Sequence, residues 1–122
     1  MKKIITIASI LILFGCKSIQ NNSKTTTMNL KNLHTENKAV QTSVMFQPTD
    51  GKVISLQIAK NEQLAEHVTK IPALLVCISG NAVFTDDKGT VVNLNSGNYV
   101  MIEENVKHAV KAIDESNFLL MK

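Results

Sequence analysis

Residues 73–80 read Ala-Leu-Leu-Val-Cys-Ile-Ser-Gly. Six apolar residues in a row are closed by a Ser-Gly turn signal. A run this short, with β-branched Val76 and Ile78, fits a buried strand better than a helix. On the N-terminal side, residues 53–58 (VISLQI) alternate apolar and polar at period two. Residues 43–46 form a short extended run that ends at Gln47-Pro48-Thr49-Asp50-Gly51, a strong turn signal. Residues 64–68 are a weaker strand. A helical turn over 60–67 is the alternative there, although His67-Val68-Thr69 prefers an extended form. On the C-terminal side, residues 82–85 run into the hairpin turn Asp86-Asp87-Lys88-Gly89. Strands follow over 91–94, 99–102, 106–113 and 117–121. No segment carries a capped stripe of 3.6-residue period. Many short strands at regular spacing predict an all-β, antiparallel sandwich or barrel. Closing the sheet also removes exposed edges, which matters in a small domain.

The folded part is therefore residues 43–122, one domain with one core. The chain opens with MKKIITIASILILFGC, residues 1–16. Lys2 and Lys3 precede an apolar run over residues 4–14, and small Gly15 precedes Cys16. This is the layout of a secretory signal peptide, residues 1–15. Its apolar core is short of the about 20 helical residues that cross a bilayer. Leu13-Phe14-Gly15-Cys16 resembles the lipobox of bacterial lipoproteins, whose cysteine becomes the lipidated first residue of the mature protein. The expectation is a chain held by lipid on Cys16 to a bacterial membrane, on its periplasmic or outer-membrane side. Residues 16–42 are rich in Asn, Ser, Thr and Lys and read as a flexible tether. Met28, Leu30 and Leu33 interrupt its polar run, so its second half has the means to dock. His34, within it, is expected to be an exposed loop histidine.

Charge narrows the partners. All 13 basic residues are lysine, against 10 acidic ones. Removal of the signal leaves 11 lysines, a nearly neutral mature chain. Arginine's planar fork, suited to phosphate and carboxylate, is missing. The aromatics left after cleavage are Phe46, Phe84, Tyr99 and Phe118, too few for stacking on bases. Nucleic acid is excluded as a partner. With Cys16 lipidated, Cys77 stands alone and no internal disulfide forms. No Ser-His-Asp set and no glycine-rich phosphate loop is present, and the acid pairs Asp86-Asp87, Glu103-Glu104 and Asp114-Glu115 fall at turns. No catalytic residue is assigned.

Two stretches carry a family resemblance. EHVTKIPALLVCISG places His67 at the first histidine of the first cupin motif and Gly80 at its closing glycine. Thr69 stands where that motif has its second histidine, and Ala73 where it has glutamate. GNYVMIEENVKHAVKA places Gly97 and His108 at the glycine and histidine of the second motif. Glu103, Asn105 and Ala112 replace its proline, glycine and asparagine. The region 53–122 resembles a small single-domain cupin, an RmlC-like jelly roll. The resemblance implies a double-stranded β-helix, which follows the N-terminal signal helix and the tether. Cupins of this size often pair through a sheet face, so the resemblance also implies a homodimer.

In metal-dependent cupins three histidines and the glutamate hold one metal. Only His67 and His108 keep those positions here, fewer than the three protein ligands usual for a zinc or iron site. Glu66 is expected on the opposite face from His67. Glu103 and Glu104 precede the His108 strand and are the candidate substitutes. Cys77 lies about 13 Å beyond Ala73 at strand rise, too far to help, and reads as a core residue. Three roles stay open for the histidines: a degenerate site for Zn, Fe or Mn, the lining of a cavity for a neutral small molecule (with Thr69), or a hydrogen-bonded pair without a ligand. The expected function is a small-molecule-binding or accessory module with no tightly bound metal. The alternative is a metal-dependent cupin enzyme of dioxygenase or isomerase type with a recruited ligand.

Overall fold

The structure, a computed structural model, describes Gly15 and residues 28–122. The signal-peptide and lipidation expectations, Cys16 included, lie outside the described residues. Nine strands follow one another: β1 (Val40–Phe46), β2 (Val53–Ile58), β3 (Gln63–His67), β4 (Ala73–Ser79), β5 (Asn81–Asp86), β6 (Val91–Asn95), β7 (Tyr99–Ile102), β8 (His108–Ala112) and β9 (Ser116–Met121). They form two antiparallel sheets, a five-stranded one ordered β1-β2-β9-β4-β7 and a four-stranded one ordered β3-β8-β5-β6. Among the described residues no helix is long and apolar enough to cross a membrane.

The core fills the space between the sheets. Leu56, Ile58, Leu75, Cys77 and Phe118 come from the five-stranded sheet, and Phe84, Leu94 and Val110 from the four-stranded one. Each fully buried side chain of this size contributes about 1.5–3 kcal/mol. In β4 the inward residues Ala73, Leu75 and Cys77 are buried, while Leu74 and Val76 on the other face are half-covered. This explains why 73–78 reads as one unbroken apolar run.

One end of the barrel is closed by a tight contact. Gly80 links β4 to β5 at φ +103°, and a Cβ there would lie 2.4–2.6 Å from the Ser116 side chain, the Glu115 carbonyl and the Ser116 Cα. Only glycine fits both the left-handed backbone and the space.

Two local expectations change and one alternative falls away. β1 begins at Val40, not at 43, because Val40, Gln41 and Thr42 pair with Ile58, Gln57 and Leu56. The weaker strand expected over 64–68 is present as residues 63–67, and the alternative helical turn is not. His34 is half-buried, not an exposed loop residue. A 3₁₀ turn, Leu30–Leu33, is capped by the Asn29 side chain, which accepts from the Lys31 N–H at 3.0 Å. The turn brings His34 onto the outer face of the five-stranded sheet, where its Nε2 and the Ser55 hydroxyl lie 2.8 Å apart. Next to this pair, Gln57 donates to Asn117 at 3.0 Å, and Asn117 donates to the Ser79 hydroxyl at 3.1 Å. Ser55, Gln57 and Asn117 are buried, so the polar half of the VISLQI alternation is covered as well.

Candidate functional site

The end of the barrel opposite Gly80 carries the histidines. β3 ends with His67 and β8 begins with His108, and the two are register partners across neighbouring strands. Cross-strand partners share one face of a sheet. Their ring centroids are 4.2 Å apart, with the planes at 60°. The pair is therefore side by side on one sheet. Phe84 stacks on His108 at 5.8 Å and 22°.

Both imidazoles are oriented by the same device. Nδ1 of His67 donates to the Ala65 carbonyl at 2.8 Å, and Nδ1 of His108 donates to the Val106 carbonyl at 3.0 Å. A carbonyl oxygen only accepts, so the proton of each neutral ring sits on Nδ1 and Nε2 keeps its lone pair. The described residues give neither Nε2 a hydrogen-bond partner. His108 is 2 % exposed, and burial holds it below the ordinary histidine range. The Val106 carbonyl opposes that shift, the charge of His67 reinforces it, and Asp86 opposes it.

Thr69 completes the group. Its hydroxyl is buried and has no hydrogen-bond partner among the described residues. It lines, with His67, His108 and Lys122, a cavity of about 30 Å³ otherwise walled by aliphatic side chains such as Leu56, Leu75 and Val110. That volume holds one water or one hydroxyl-sized group. An outer pocket of about 490 Å³ shares His67, Thr69 and Lys122 with the cavity and opens to solvent. The neutral molecule expected inside the barrel therefore does not fit there whole; only its tip can enter.

The departures from the cupin motifs have physical explanations. Asn105 sits at φ +61°, a left-handed conformation that glycine and asparagine adopt most readily. Its N–H donates to the Thr69 carbonyl at 2.8 Å and ties the two motif segments together. Glu103 pairs with Lys88 on the surface, and Glu104 is exposed, so neither substitutes for the missing ligand. Cys77 is fully buried among core residues, and burial pushes its thiol pKa up against a weaker opposing contact with the Ser79 carbonyl. Asp86 faces His108 in register, but its carboxylate accepts from the N–H groups of Lys88 and Thr90, both at 2.9 Å. Among the described residues no three His, Cys, Asp or Glu side chains could hold one ion. Two imidazoles and a threonine hydroxyl do not fit a tightly held resident metal. The lysines at the mouth, Lys52, Lys70 and Lys122, went unnoticed in the sequence. They come from three separate segments, and no linear spacing signals them.

No known family model matches the sequence, and no curated protein matches it. Solved structures do. A cupin superfamily protein from Desulfitobacterium hafniense aligns with a TM-score of 0.68 at 17% identity, covering 76% of this chain and 84% of its own. An uncharacterized conserved protein with a double-stranded β-helix domain from Klebsiella pneumoniae aligns at 0.67 and 18%, covering 79% and 87%. A conserved protein of unknown function from Streptococcus pyogenes aligns at 0.67 and 18%, covering 80% and 85%. At such identities the likeness speaks for the fold alone. With the strand order and the paired histidines, it establishes that this chain has the double-stranded β-helix fold of the cupins.

Proposed function

We propose that the chain is a small-molecule-binding accessory module of a bacterial cell envelope, with its ligand seat at the barrel mouth around His67, Thr69 and His108. One observation carries the seat: the buried, unpartnered Thr69 hydroxyl beside two imidazoles that keep their Nε2 lone pairs. A buried hydroxyl without a partner costs about 1–3 kcal/mol. A ligand that places a small donor in the cavity removes that cost and leaves its body in the outer pocket. The test is ligand-observed NMR with a set of hydroxyl-bearing fragments. Hits are expected that vanish in Thr69→Val and His67→Gln. Hits that persist in both variants sink the seat.

The anchoring of both Nδ1 atoms on carbonyls favours a second reading, because metal-bound histidines are oriented in this way. That reading is a metal-dependent cupin enzyme of dioxygenase or isomerase type. Elemental analysis separates the two. Zinc, iron and manganese are expected well below one per chain. A stoichiometric metal lost in His108→Ala would replace the accessory reading.

Membrane attachment is proposed from the Gly15-Cys16 context. Cys16→Ser is expected to move the protein from the membrane fraction to the soluble one. The homodimer is proposed through the outer face of the five-stranded sheet, where Tyr99 and Met101 are exposed. Light scattering that gives a monomer mass would end that proposal.

A further inference from the structure

The outer pocket has a charge pattern that the histidine pair does not explain. Lys52, Lys70 and Lys122 line it, and no Asp or Glu side chain does. Lys52 and Lys122 are fixed side by side: the Lys52 N–H donates to the Lys122 carbonyl at 2.7 Å, and the Lys122 N–H donates back at 3.1 Å. Lys70 stands on the β3–β4 connection, next to Thr69. The ion pairs among the described residues are Lys38–Glu36 and Lys88–Glu103, both elsewhere. The three mouth lysines have no ion-pair partner in that set. Asp50 and Glu66, the carboxylates nearest in sequence to these segments, are exposed and lie outside the lining. A main-chain carboxylate at residue 122 would remove one charge and leave the excess positive. In a mature chain with 11 lysines and 10 acidic residues, three lysines at one opening with no Asp or Glu in its lining are a local concentration of charge.

We infer that the mouth takes a small hydroxy-carboxylate, its acid group over Lys52, Lys70 and Lys122 and one hydroxyl in the cavity against Thr69 and the histidine Nε2 atoms. The inference rests on the seat proposed above and adds the ligand's class. The two subsites set complementary demands. The inner one admits a single hydroxyl-sized group and presents two acceptors, so it asks for a donor. An amine would donate too, but the lysines repel its charge. The outer one asks for an anion. Lysine binds as a point charge and does not need the bidentate geometry of arginine, so a freely rotating carboxylate suits it. The match also accounts for Thr69 as a hydroxyl, which both donates and accepts.

The test titrates the full chain, in neutral detergent micelles, with gluconate and with sorbitol. Both probes are open-chain six-carbon polyols, and they differ in charge. Signals of the histidine rings and of the Thr69 and Lys70 amides are followed by NMR. Gluconate is expected to bind about tenfold more tightly than sorbitol at low salt, with the gap narrowing as about 0.5 M salt screens the lysines. The double variant Lys52→Gln/Lys70→Gln is expected to close the gap without unfolding, because both side chains line an open pocket. Equal affinity for the two probes, or a gap that survives the double variant, overturns the anion preference and leaves the hydroxyl seat standing. A gap that survives Thr69→Val and His67→Gln, with affinities unchanged, shows anion binding without the cavity and overturns the seat beneath it. Silence with both probes overturns the hydroxy-carboxylate assignment.

Discussion

Two buried hydroxyls mark the two ends of this barrel. At the Gly80 end, Ser116 is fully buried and its hydroxyl has three neighbours in hydrogen-bond range: the Asn81 N–H at 3.1 Å, the Asn81 carbonyl at 3.2 Å and the Asp114 carbonyl at 2.8 Å. At the mouth, the Thr69 hydroxyl is buried with none. Buried polar atoms are nearly always paired, so an orphan calls for an explanation. The closed end shows that this sequence can satisfy a buried hydroxyl where structure alone is at stake. The mouth leaves its hydroxyl, and two imidazole nitrogens beside it, without partners among the described residues. The difference separates a part that holds the fold from the part proposed above as a ligand seat.

The largest expected effect lies at the closed end. Gly80→Ala would force a Cβ to within 2.4–2.6 Å of Ser116 and the Glu115 carbonyl, at a φ of +103°. Overpacking costs about 1–3 kcal/mol and the backbone strain about 1–3 more. A loss of about 3 kcal/mol is expected, a fall of about 12 °C or more in Tm for a domain of this size. Thermal unfolding checks it. A change within about 1 °C would mean the closed end is not tight, and the comparison would lose one side.

The two hydroxyls themselves are the sharper test, because opposite signs are expected. Ser116→Ala takes the side-chain partner from the half-buried Asn81 N–H, and a loss of about 1–3 kcal/mol follows. Thr69→Val removes an unpartnered hydroxyl and keeps the shape, so stability is expected unchanged or raised by about 1 kcal/mol. Denaturant unfolding of both variants measures this. If Thr69→Val destabilises as much as Ser116→Ala, the hydroxyl has a structural partner and the mouth is ordinary core.

A pH difference comes next. His108 has a lowered folded pKa, mainly from burial, so the unfolded chain binds its proton more tightly. Stability from this group is complete above the ordinary histidine pKa of about 6.5 and is lost as pH falls through the folded value. Unfolding at pH 7.5 and pH 5 is therefore expected to favour pH 7.5. The gap is expected to shrink in His108→Gln, which keeps a polar side chain and cannot titrate. His67 and Asp86 face the same ring with opposing influences, both smaller than that of burial. An unchanged gap in the variant would locate the pH sensitivity elsewhere.

Legibility followed the range of the interactions. β2 and β7 are readable to the residue, because alternation and turn residues are local signals. The histidine pair was within reach only through the spacing of two motifs, since the 40 residues between them carry no trace of the β3–β8 register. The same limit hid the start of β1, whose Gln41 and Thr42 look like tether until Gln57 and Leu56 pair with them. It also hid the lysines of the mouth. Asn105 illustrates the converse. As a letter it departs from the motif glycine, yet as a backbone conformation, at φ +61°, it fulfils the same need.

The smallest effect is expected on the outer face of the five-stranded sheet, which offers a third kind of polar site. Ser55 is buried there in the middle of the sheet, and its hydroxyl is paired with His34, which belongs to a segment outside the barrel. Ser116 is satisfied by Asn81, the first residue of β5, and by the Asp114 carbonyl of the turn before its own strand, whereas the Ser55 hydroxyl is paired by a segment outside the two sheets. A net hydrogen bond is worth about 0.5–1.5 kcal/mol, and on lifting, water replaces the imidazole. His34→Ala is therefore expected to lower global stability by about 1 kcal/mol or less. Its clearer effect is local: hydrogen exchange is expected to rise over residues 29–36 and at Ser55, with rates at Phe118 and Cys77 unchanged. Faster exchange throughout the core would show that the cover belongs to the cooperative unit of the barrel. Exchange confined to 29–36 and Ser55 would place the polar outer layer between the two ends: satisfied like the closed end, yet outside the cooperative unit of the barrel.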